Sequence, residues 1–364
     1  MINPYDIFKN LIVRHSLGAR GTKNFPDLPI EVMIEIEPRC NFYCAFCFNK
    51  ISFAKQGRQK IKFFSTGYVK KIIKQIKKAG IQNVRFTGGE PLLRPDILEI
   101  LKYAKDSGFK EVRLNTNGSL IDKKLAVRLV EYVDNFLLPL ESFTAEKEAQ
   151  ISGFKNSFVL KLEALHWLEL AGAKTIRLGT VVTKRAIGDL EQIAAIVAQQ
   201  PVSRWELYRP IPMGDEQFLI DTNDAEILVE KLSALANKFA GKQSYYIANA
   251  LPFCSVKNPD RMNHFSGWGA FLDGGYTRFV IDPRGFAKPH YFSDENIGDP
   301  LNPLACWSHP FMQKMRNLEF LPDKCTACQF KNKCRGGSRF AAKTIFGDYR
   351  APDPLANFSN TAHR

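Results

Sequence analysis

The sequence has no run of 18 or more uncharged apolar residues, and this excludes a predicted membrane-spanning helix. Its first residues, Met1 to Asp6, lack both the basic region and the apolar segment of a secretory signal peptide. We therefore expect a cytoplasmic protein without membrane partners. Because thiols stay reduced in that compartment, the eight cysteines are expected to bind metal rather than to form disulfide bonds.

Acidic residues are absent between Phe48 and Gly89, although this stretch carries eleven of the 51 lysine and arginine residues. It contributes strongly to the formal net charge of +14. A basic face attracts nucleic acid, phosphates, acidic peptides or a membrane surface, whereas a solvated lysine-rich helix face needs no partner. Both interpretations are open from the sequence.

The chain has 364 residues, a length that suits about two domains. Strand-like and helix-like segments alternate as far as residue 209. The apolar run 30–37 predicts the first strand, and Ser65 or Thr66 caps a helix that extends to Ala79. Further strands and helices are predicted in alternation at 84–87, 97–106, 111–115, 123–132, 135–140, 158–170, 174–182, 190–199 and 205–209. Six such repeats predict parallel strands with helical crossovers, in either a doubly wound sheet or a barrel.

Three cysteines, Cys40, Cys44 and Cys47, follow the first predicted strand at C-x3-C-x2-C spacing. Thiolates select zinc, Cu(I) or iron–sulfur clusters, and a structural zinc site takes four protein ligands. No cysteine or histidine follows within the next hundred residues. Three thiolates without an obvious fourth ligand indicate a cluster with one open iron. Buried apolar cysteines, or zinc with a distant fourth ligand, are the alternatives.

This spacing, with the aromatic Phe46 before the last cysteine, resembles that of the radical S-adenosylmethionine (radical SAM) family. The resemblance implies that Cys40, Cys44 and Cys47 hold a 4Fe–4S cluster whose fourth iron binds SAM. It implies reductive cleavage of SAM to a 5′-deoxyadenosyl radical that abstracts a hydrogen atom. A low-potential donor such as flavodoxin or ferredoxin would supply the electron.

Two polar motifs stand at the ends of the second and third predicted strands, where barrels of this kind bind ligands. Gly88, Gly89 and Glu90 resemble the GGE motif of the family, which holds the SAM amino group. Two glycines permit a close backbone approach, and a carboxylate accepts hydrogen bonds from an ammonium group. A second stretch resembles a family segment close to SAM, with an ordinary Asn-Gly turn as the alternative. Its residues are Asn115, Thr116 and Asn117.

The fourth predicted strand departs from the family pattern. Many relatives have Ser-Leu-Asp-Gly where this chain has the segment 139–142, and an arginine where it has Ser152. Glu141 either replaces the family aspartate or is a solvated carboxylate at the end of the strand. Arg209, at the end of the sixth strand, resembles the part of the barrel that lies near the adenosine of SAM.

The C-terminal region resembles a SPASM or twitch domain, the extension that carries auxiliary iron–sulfur clusters. Cys325, Cys328 and Cys334 carry the resemblance, with C-x2-C-x5-C spacing followed by Gly-Gly. The resemblance implies a partial (β/α)6 TIM-like barrel followed by a small cysteine-rich α+β domain. The predicted divisions are an extension at 1–29, the barrel at 30–222, a bridging helix at 223–244 and the SPASM/twitch-like domain at 245–364.

Three cysteines of the SPASM pattern are missing here, since His290 and Ser338 occupy two of their positions and the segment 353–356 keeps the Asp-Pro pair but lacks the thiol that usually follows it. One auxiliary cluster on the C-x2-C-x5-C cysteines is therefore expected rather than two. Its fourth ligand is open among several candidates, an exogenous ligand included; imidazole can replace thiolate on iron. The protein candidates are Cys306, Cys254, His290 and Asp353. Zinc, or a set of reduced free thiols, is the alternative.

The sequence thus predicts an oxygen-sensitive radical SAM enzyme of the oxidoreductase or maturase type. Its expected substrate is a peptide or protein side chain, and the alternative is a step in small-molecule or cofactor biosynthesis. A different class is a non-catalytic, metal-bound module that binds nucleic acid through the basic segment. The C-x3-C-x2-C and GGE motifs argue against that class, so nucleic acid is not an expected partner.

Overall fold

The computed structural model describes residues 26–49, 64–213, 216–238, 244–265 and 274–360. Within these residues, seven parallel strands form one sheet in the order in which they occur in the chain. They are β1 (Glu31–Glu37), β2 (Asn83–Gly88), β3 (Glu111–Asn115), β4 (Asn135–Pro139), β5 (Ile176–Val181), β6 (Arg204–Tyr208) and β7 (Ser244–Ile247). β8 (Arg278–Ile281) pairs parallel to β1 at the opposite edge, and β9 (Ala287–Lys288) pairs antiparallel to β8.

Helices connect consecutive parallel strands, so the predicted βα alternation is confirmed. The helices of this part are α1 (Thr66–Lys78), α2 (Ile97–Asp106), α3 (Lys123–Tyr132), α4 (Ala145–Ser152), α5 (Ser157–Leu170), α6 (Lys184–Gly188), α7 (Leu190–Val197) and α8 (Thr222–Lys238). Right-handed crossovers place every helix on one face when strands are added in one direction only. The strand order β1 to β7 never reverses, which matches a barrel rather than a doubly wound sheet.

The two faces of the sheet differ in polarity because side chains alternate along each strand. On β1, the apolar Val32, Ile34 and Ile36 belong to the hydrophobic core. The face turned away from the helices is called the inner face here. It carries charged side chains instead, which are the buried Glu31, Glu35, Arg85, Arg177 and Glu206 and the half-buried Arg113.

The predicted cap of α1 is present, since the Ser65 hydroxyl accepts a hydrogen bond from the Tyr68 amide at 3.2 Å. Two lysines of this helix have local partners. Lys70 Nζ lies 2.6 Å from Glu99 Oε1, and Lys77 Nζ donates to the Gly108 carbonyl at 2.6 Å. These contacts fit the interpretation of a solvated helix face, whereas the basic residues of 50–63 lie outside the described part of the chain.

The C-terminal region contains short helices and an aromatic cluster. The helices are α9 (Met262–Phe265), α10 (Pro303–Ser308), α11 (Pro310–Arg316), α12 (Lys331–Cys334) and α13 (Arg339–Phe346). The His290 ring stacks on Phe340 with 4.9 Å between ring centroids, and Phe292 lies edge-on against both rings. The chain leaves the sheet after β7 at one edge and returns as β8 at the other. No helix among the described residues combines the length and the apolar composition that a membrane crossing requires.

Candidate metal and cofactor site

The loop after β1 carries the first three cysteines and is held by the end of α4. The Tyr43 amide donates to the Ser152 carbonyl at 2.8 Å, and the Ala45 amide donates to Ile151 at 2.9 Å. These bonds satisfy carbonyls at the helix end that have no partner within the helix. Gly153 is left-handed, with φ of 64°, and a Cβ there would lie 2.8 Å from the Tyr43 Cβ. The Ser-Gly pair that departs from the family pattern therefore supports the cysteine loop.

Gly88 and Gly89 bring the end of β2 against the same loop from the other side. The Gly89 amide donates to the backbone carbonyl of Glu37 at 2.6 Å, and the Glu90 amide donates to the backbone carbonyl of Arg39 at 2.7 Å. A Cβ on Gly89 would overlap the Arg39 carbonyl and lie 3.0 Å from the Cys40 nitrogen. The close approach expected of these glycines is thus made to the backbone that leads into Cys40.

Glu90 is fully buried and joins the ends of β2 and β3. Its Oε1 accepts hydrogen bonds from the Leu92 amide at 3.0 Å and the Thr116 hydroxyl at 2.7 Å. Its Oε2 accepts from the Asn117 amide at 2.7 Å. Burial raises the pKa of Glu90 to about 7, although these donors act in the opposite direction.

Asn117 connects this carboxylate to the cysteine loop. Its side-chain amide donates to Asn41 Oδ1 at 2.8 Å and lies 3.8 Å from Cys40 Sγ. The Asn41 amide in turn donates to the Ser119 hydroxyl at 2.8 Å. Asn115 lies apart from this group, because its Oδ1 accepts from Arg85 on the inner face at 3.3 Å. Of the predicted SAM-contacting residues, the structure brings Glu90, Thr116 and Asn117 together and leaves Asn115 elsewhere.

The three thiols of the loop are close enough to influence one another. Burial raises the pKa of Cys44 to about 12, and the Lys161 ammonium counteracts this while the Cys40 and Cys47 thiolates add to it. Burial also raises the pKa of Cys40, with Cys47 contributing in the same direction. Three soft donors that repel one another as thiolates need a cationic group between them, and a 4Fe–4S cluster supplies that charge. The residues of the loop therefore fit the cluster.

A buried charged group behind Cys44 is not evident from the motifs. Lys161 forms an ion pair with Glu148, both side chains being at most 1% exposed, and its Nζ lies 5.5 Å from the Phe42 ring centroid. Lys161 shares the buried face of α5 with Ala164, Leu165 and Leu168. The sequence signal for this buried ion pair is a lysine at a helical position where the period predicts an apolar residue.

Glu141 is buried rather than solvated. Its Oε2 accepts a hydrogen bond from the Val181 amide at 2.7 Å. Burial raises the pKa of Glu141 to about 8, and the nearby Glu148 carboxylate adds to this rise. Arg209 points to the C-terminal region, where its Nη1 lies 2.7 Å from Asp353 Oδ2. Glu141 thus connects the end of β4 to the end of β5, and Arg209 connects the end of β6 to the C-terminal region.

A second group of thiols lines one cavity in the C-terminal region, called the thiol cavity here. Its cysteines are Cys254, Cys325, Cys328 and Cys334. The C-x2-C-x5-C cysteines are thus together, and Cys254 joins them from the segment after β7. In the described part of the chain, no three His, Cys, Asp or Glu residues form a group suited to a single metal ion.

The inner face carries a charged network that the motif analysis missed. Glu31 forms ion pairs with Arg85 at 3.0 Å, Arg113 at 2.7 Å and Arg278 at 2.9 Å. Glu206 pairs with Arg177 at 2.8 Å. Alternation of charged and apolar residues along β1 to β6 is the sequence signal for this network.

Comparison with known proteins adds a family and a fold to this geometry. A family model described as "Radical SAM superfamily" matches residues 34–196. The chain is 25% identical to the PqqA peptide cyclase of Bradyrhizobium diazoefficiens, over 93% of this chain and 89% of that protein. It is 27% identical to the mycofactocin maturase MftC of Mycolicibacterium smegmatis, over 90% and 82%.

Solved structures share the fold. The crystal structure of Streptococcus suis SuiB gives a TM-score of 0.72 at 18% identity, over 98% of this chain and 83% of that one. The structure of anSMEcpe with bound AdoMet gives 0.69 at 15% identity, over 89% and 93%. The predicted fold class is thereby confirmed. The family match begins within β1 and includes the cysteine loop, the Gly-Gly-Glu turn and the ends of the strands that follow, so residues 34–196 form a radical SAM domain.

Proposed function

We propose that this radical SAM enzyme modifies a side chain of a peptide or protein. The observation that carries the proposal is similarity along nearly the whole chain to proteins named PqqA peptide cyclase and mycofactocin maturase. SuiB, whose fold this chain shares, has also been solved bound to its precursor peptide SuiA. The similarity includes the C-terminal region as well as the barrel, so it is not limited to the cofactor site.

Synthesis of a small molecule is the second candidate. A protein named probable GTP 3′,8-cyclase, from Methanococcus aeolicus, is 26% identical to this chain over 279 residues. That match covers 74% of this chain, against 93% and 90% for the two peptide-related proteins. The longer matches favour the peptide substrate.

In the proposed site, the thiols of Cys40, Cys44 and Cys47 hold the 4Fe–4S cluster. When bound, the cluster and SAM supply a 5′-deoxyadenosyl radical for hydrogen abstraction. Glu90 orients SAM: an ionised carboxylate offers about four acceptor positions, and the three donors already bonded leave one for the SAM amino group. Asn117 holds Cys40 and Glu90 at fixed separation. Asn115 stays a prediction as a SAM contact.

The proposed domain division keeps the barrel at 30–222, the bridging helix at 223–244 and a SPASM/twitch-like domain at 245–364. It is supported by the path of the chain, which leaves β7 at one edge of the sheet and reaches β8 at the other. Such a path lets the C-terminal region cover the barrel and help to place a substrate. A cytoplasmic location and a flavodoxin or ferredoxin as electron donor complete the proposal.

The test uses anaerobically purified, iron- and sulfide-reconstituted protein mixed with SAM and dithionite. We expect 5′-deoxyadenosine from the wild type and none from a Cys40→Ala/Cys44→Ala/Cys47→Ala variant, because the variant has no ligands for the SAM cluster. Chromatography with mass spectrometry measures the product. Iron-loaded wild type that forms no 5′-deoxyadenosine, with or without peptides, would contradict the proposed activity.

The substrate class is tested in the same reaction with a broad peptide pool or with GTP. A SAM- and dithionite-dependent mass change in a peptide supports peptide modification. Conversion of GTP with no change in any peptide would instead establish the small-molecule candidate.

A further inference from the structure

The thiol cavity contains one more cysteine than its sequence motif provides. Cys325 and Cys328 flank the short turn before α12, Cys334 ends α12, and Cys254 comes from a different part of the chain. Apart from Lys324, the rest of the lining is apolar or glycine, so the cysteine sulfurs are its main metal-binding atoms. Soft, exclusively sulfur donors of this number select iron–sulfur clusters or zinc.

The four thiols differ in how far they are removed from solvent. Cys254 and Cys334 are buried, whereas Cys325 and Cys328 are half-buried. As thiolates in one largely apolar cavity, they need a shared cationic group to balance their charge.

A backbone amide already points at one of the sulfurs. The Phe253 amide donates to Cys334 Sγ at 3.4 Å. Amide hydrogen bonds to sulfur are among the factors that set the potential of iron–sulfur clusters.

The other candidate ligands are engaged elsewhere. The Cys306 thiol is fully buried and donates to the Asp299 carbonyl at 3.2 Å. Asp353 accepts from Arg209 and the Ser338 amide on Oδ2, both at 2.7 Å, and from the Leu355 amide on Oδ1 at 2.8 Å. His290 stacks on Phe340 and lines a different cavity, with Arg209 and Ser338.

We propose that Cys254, Cys325, Cys328 and Cys334 together hold an auxiliary 4Fe–4S cluster, with Cys254 as its fourth protein ligand. The proposal deepens the proposed function, on which it rests for the presence of an auxiliary cluster. Zinc, which takes four sulfurs around one ion, is the alternative that the metal content of the protein decides. Since all four irons then carry a cysteine, this cluster has no open iron for substrate. Its roles are electron transfer and holding the segment after β7 against α12.

The test measures iron and acid-labile sulfide in the Cys40→Ala/Cys44→Ala/Cys47→Ala background, which lacks the SAM cluster. We expect about four irons per chain in this background. The same content is expected after adding Cys306→Ala, the matched control at another buried cysteine. Adding Cys254→Ala is expected to reduce the content to about three irons or fewer, with a three-iron signal by electron paramagnetic resonance.

A Cys254→Ser variant guards against simple misfolding, because a serine oxygen can remain as a ligand. We expect it to keep about four irons with an altered resonance spectrum of the reduced cluster. A four-iron spectrum unchanged by Cys254→Ala, loss of iron through Cys306→Ala instead, or about one zinc per chain in the background would each overturn the proposal. Because no SAM cleavage is involved, failure here is distinguishable from failure of the proposed activity.

Discussion

Single residues in the site act mainly by allowing or preventing close contacts. Gly89 illustrates this, because its lack of a Cβ lets the turn after β2 pack on the backbone of Arg39 and Cys40. The family resemblance assigned the glycines to SAM. The structure adds that they also fix where the first thiolate stands relative to Glu90.

Gly89→Ala is expected to displace the cysteine loop, because the new methyl group would overlap a backbone carbonyl that has no alternative rotamer. We predict a several-fold loss of iron bound at the SAM cluster and a lower melting temperature. Gly67→Ala is the control, since a Cβ there meets nothing within 4 Å and alanine favours the helix. The measurement is the iron content per chain of the two reconstituted variants. Equal iron in Gly89→Ala and Gly67→Ala would contradict the role given to Gly89.

Glu206, on the inner face, shows how neighbouring groups can outweigh burial in setting the pKa of a carboxyl. Burial alone would raise the pKa of Glu206, but the Arg177 guanidinium and the Tyr208 hydroxyl bring it to about 2. A carboxyl with a pKa below its unfolded value of about 4.3 stabilises the fold above that pH. The stabilisation is lost as pH falls from about 5 toward 2, and it amounts to roughly 3 kcal/mol at neutral pH.

We therefore predict that Glu206→Gln lowers stability at neutral pH but flattens its decline below about pH 5. Denaturant midpoints measured from pH 7 down to pH 3 provide the comparison. Glu163→Gln, at an exposed position of α5, should follow the wild-type profile. A Glu206→Gln profile parallel to that of the wild type would show that this carboxyl is not the source of the acid sensitivity.

At the scale of elements, the period of apolar residues was sufficient to predict the longer helices and strands. The bounds of α2, α3 and β3 agree with the predicted ones, and α1 begins at the predicted cap. β7 was missed because it has only four residues, too few for a period, and because it exists only by pairing with β6. α4 was missed as well, although its end supports the cysteine loop.

The two proposed metal sites differ in how far apart their ligands lie in the sequence. The ligands of the first lie within eight residues of sequence, so their spacing alone indicated the site. The fourth thiol of the second site comes from the segment after β7, and no local spacing relates it to Cys325. Proximity between distant segments is a property of the folded chain, which explains why the sequence left this ligand open.

At the scale of the whole molecule, buried ion pairs join the barrel to the C-terminal region, and the pair of Arg209 with Asp353 is one of them. Arg209 follows β6, and its side chain contacts both the Asp353 carboxylate and the Ala250 carbonyl. The two charged side chains are 7% and 0% exposed. Asp353 also accepts hydrogen bonds from Ser338 and Leu355, so it fixes the chain that follows the thiol cavity.

Arg209→Met is expected to destabilise the protein by about 3–5 kcal/mol, because it leaves the Asp353 carboxylate buried without its partner. Backbone amides of 335–355 should exchange hydrogen faster, while those of β1 to β3 should change little. Adding Asp353→Asn removes the orphaned charge, so the double variant should recover part of the lost stability. Asp106→Asn, which breaks an exposed ion pair with Lys102, is the control and should have no measurable effect. Uniformly faster exchange throughout the chain in Arg209→Met would mean that the pair stabilises the molecule as a whole. Faster exchange confined to 335–355 would establish that this pair holds that segment of the C-terminal region against the barrel.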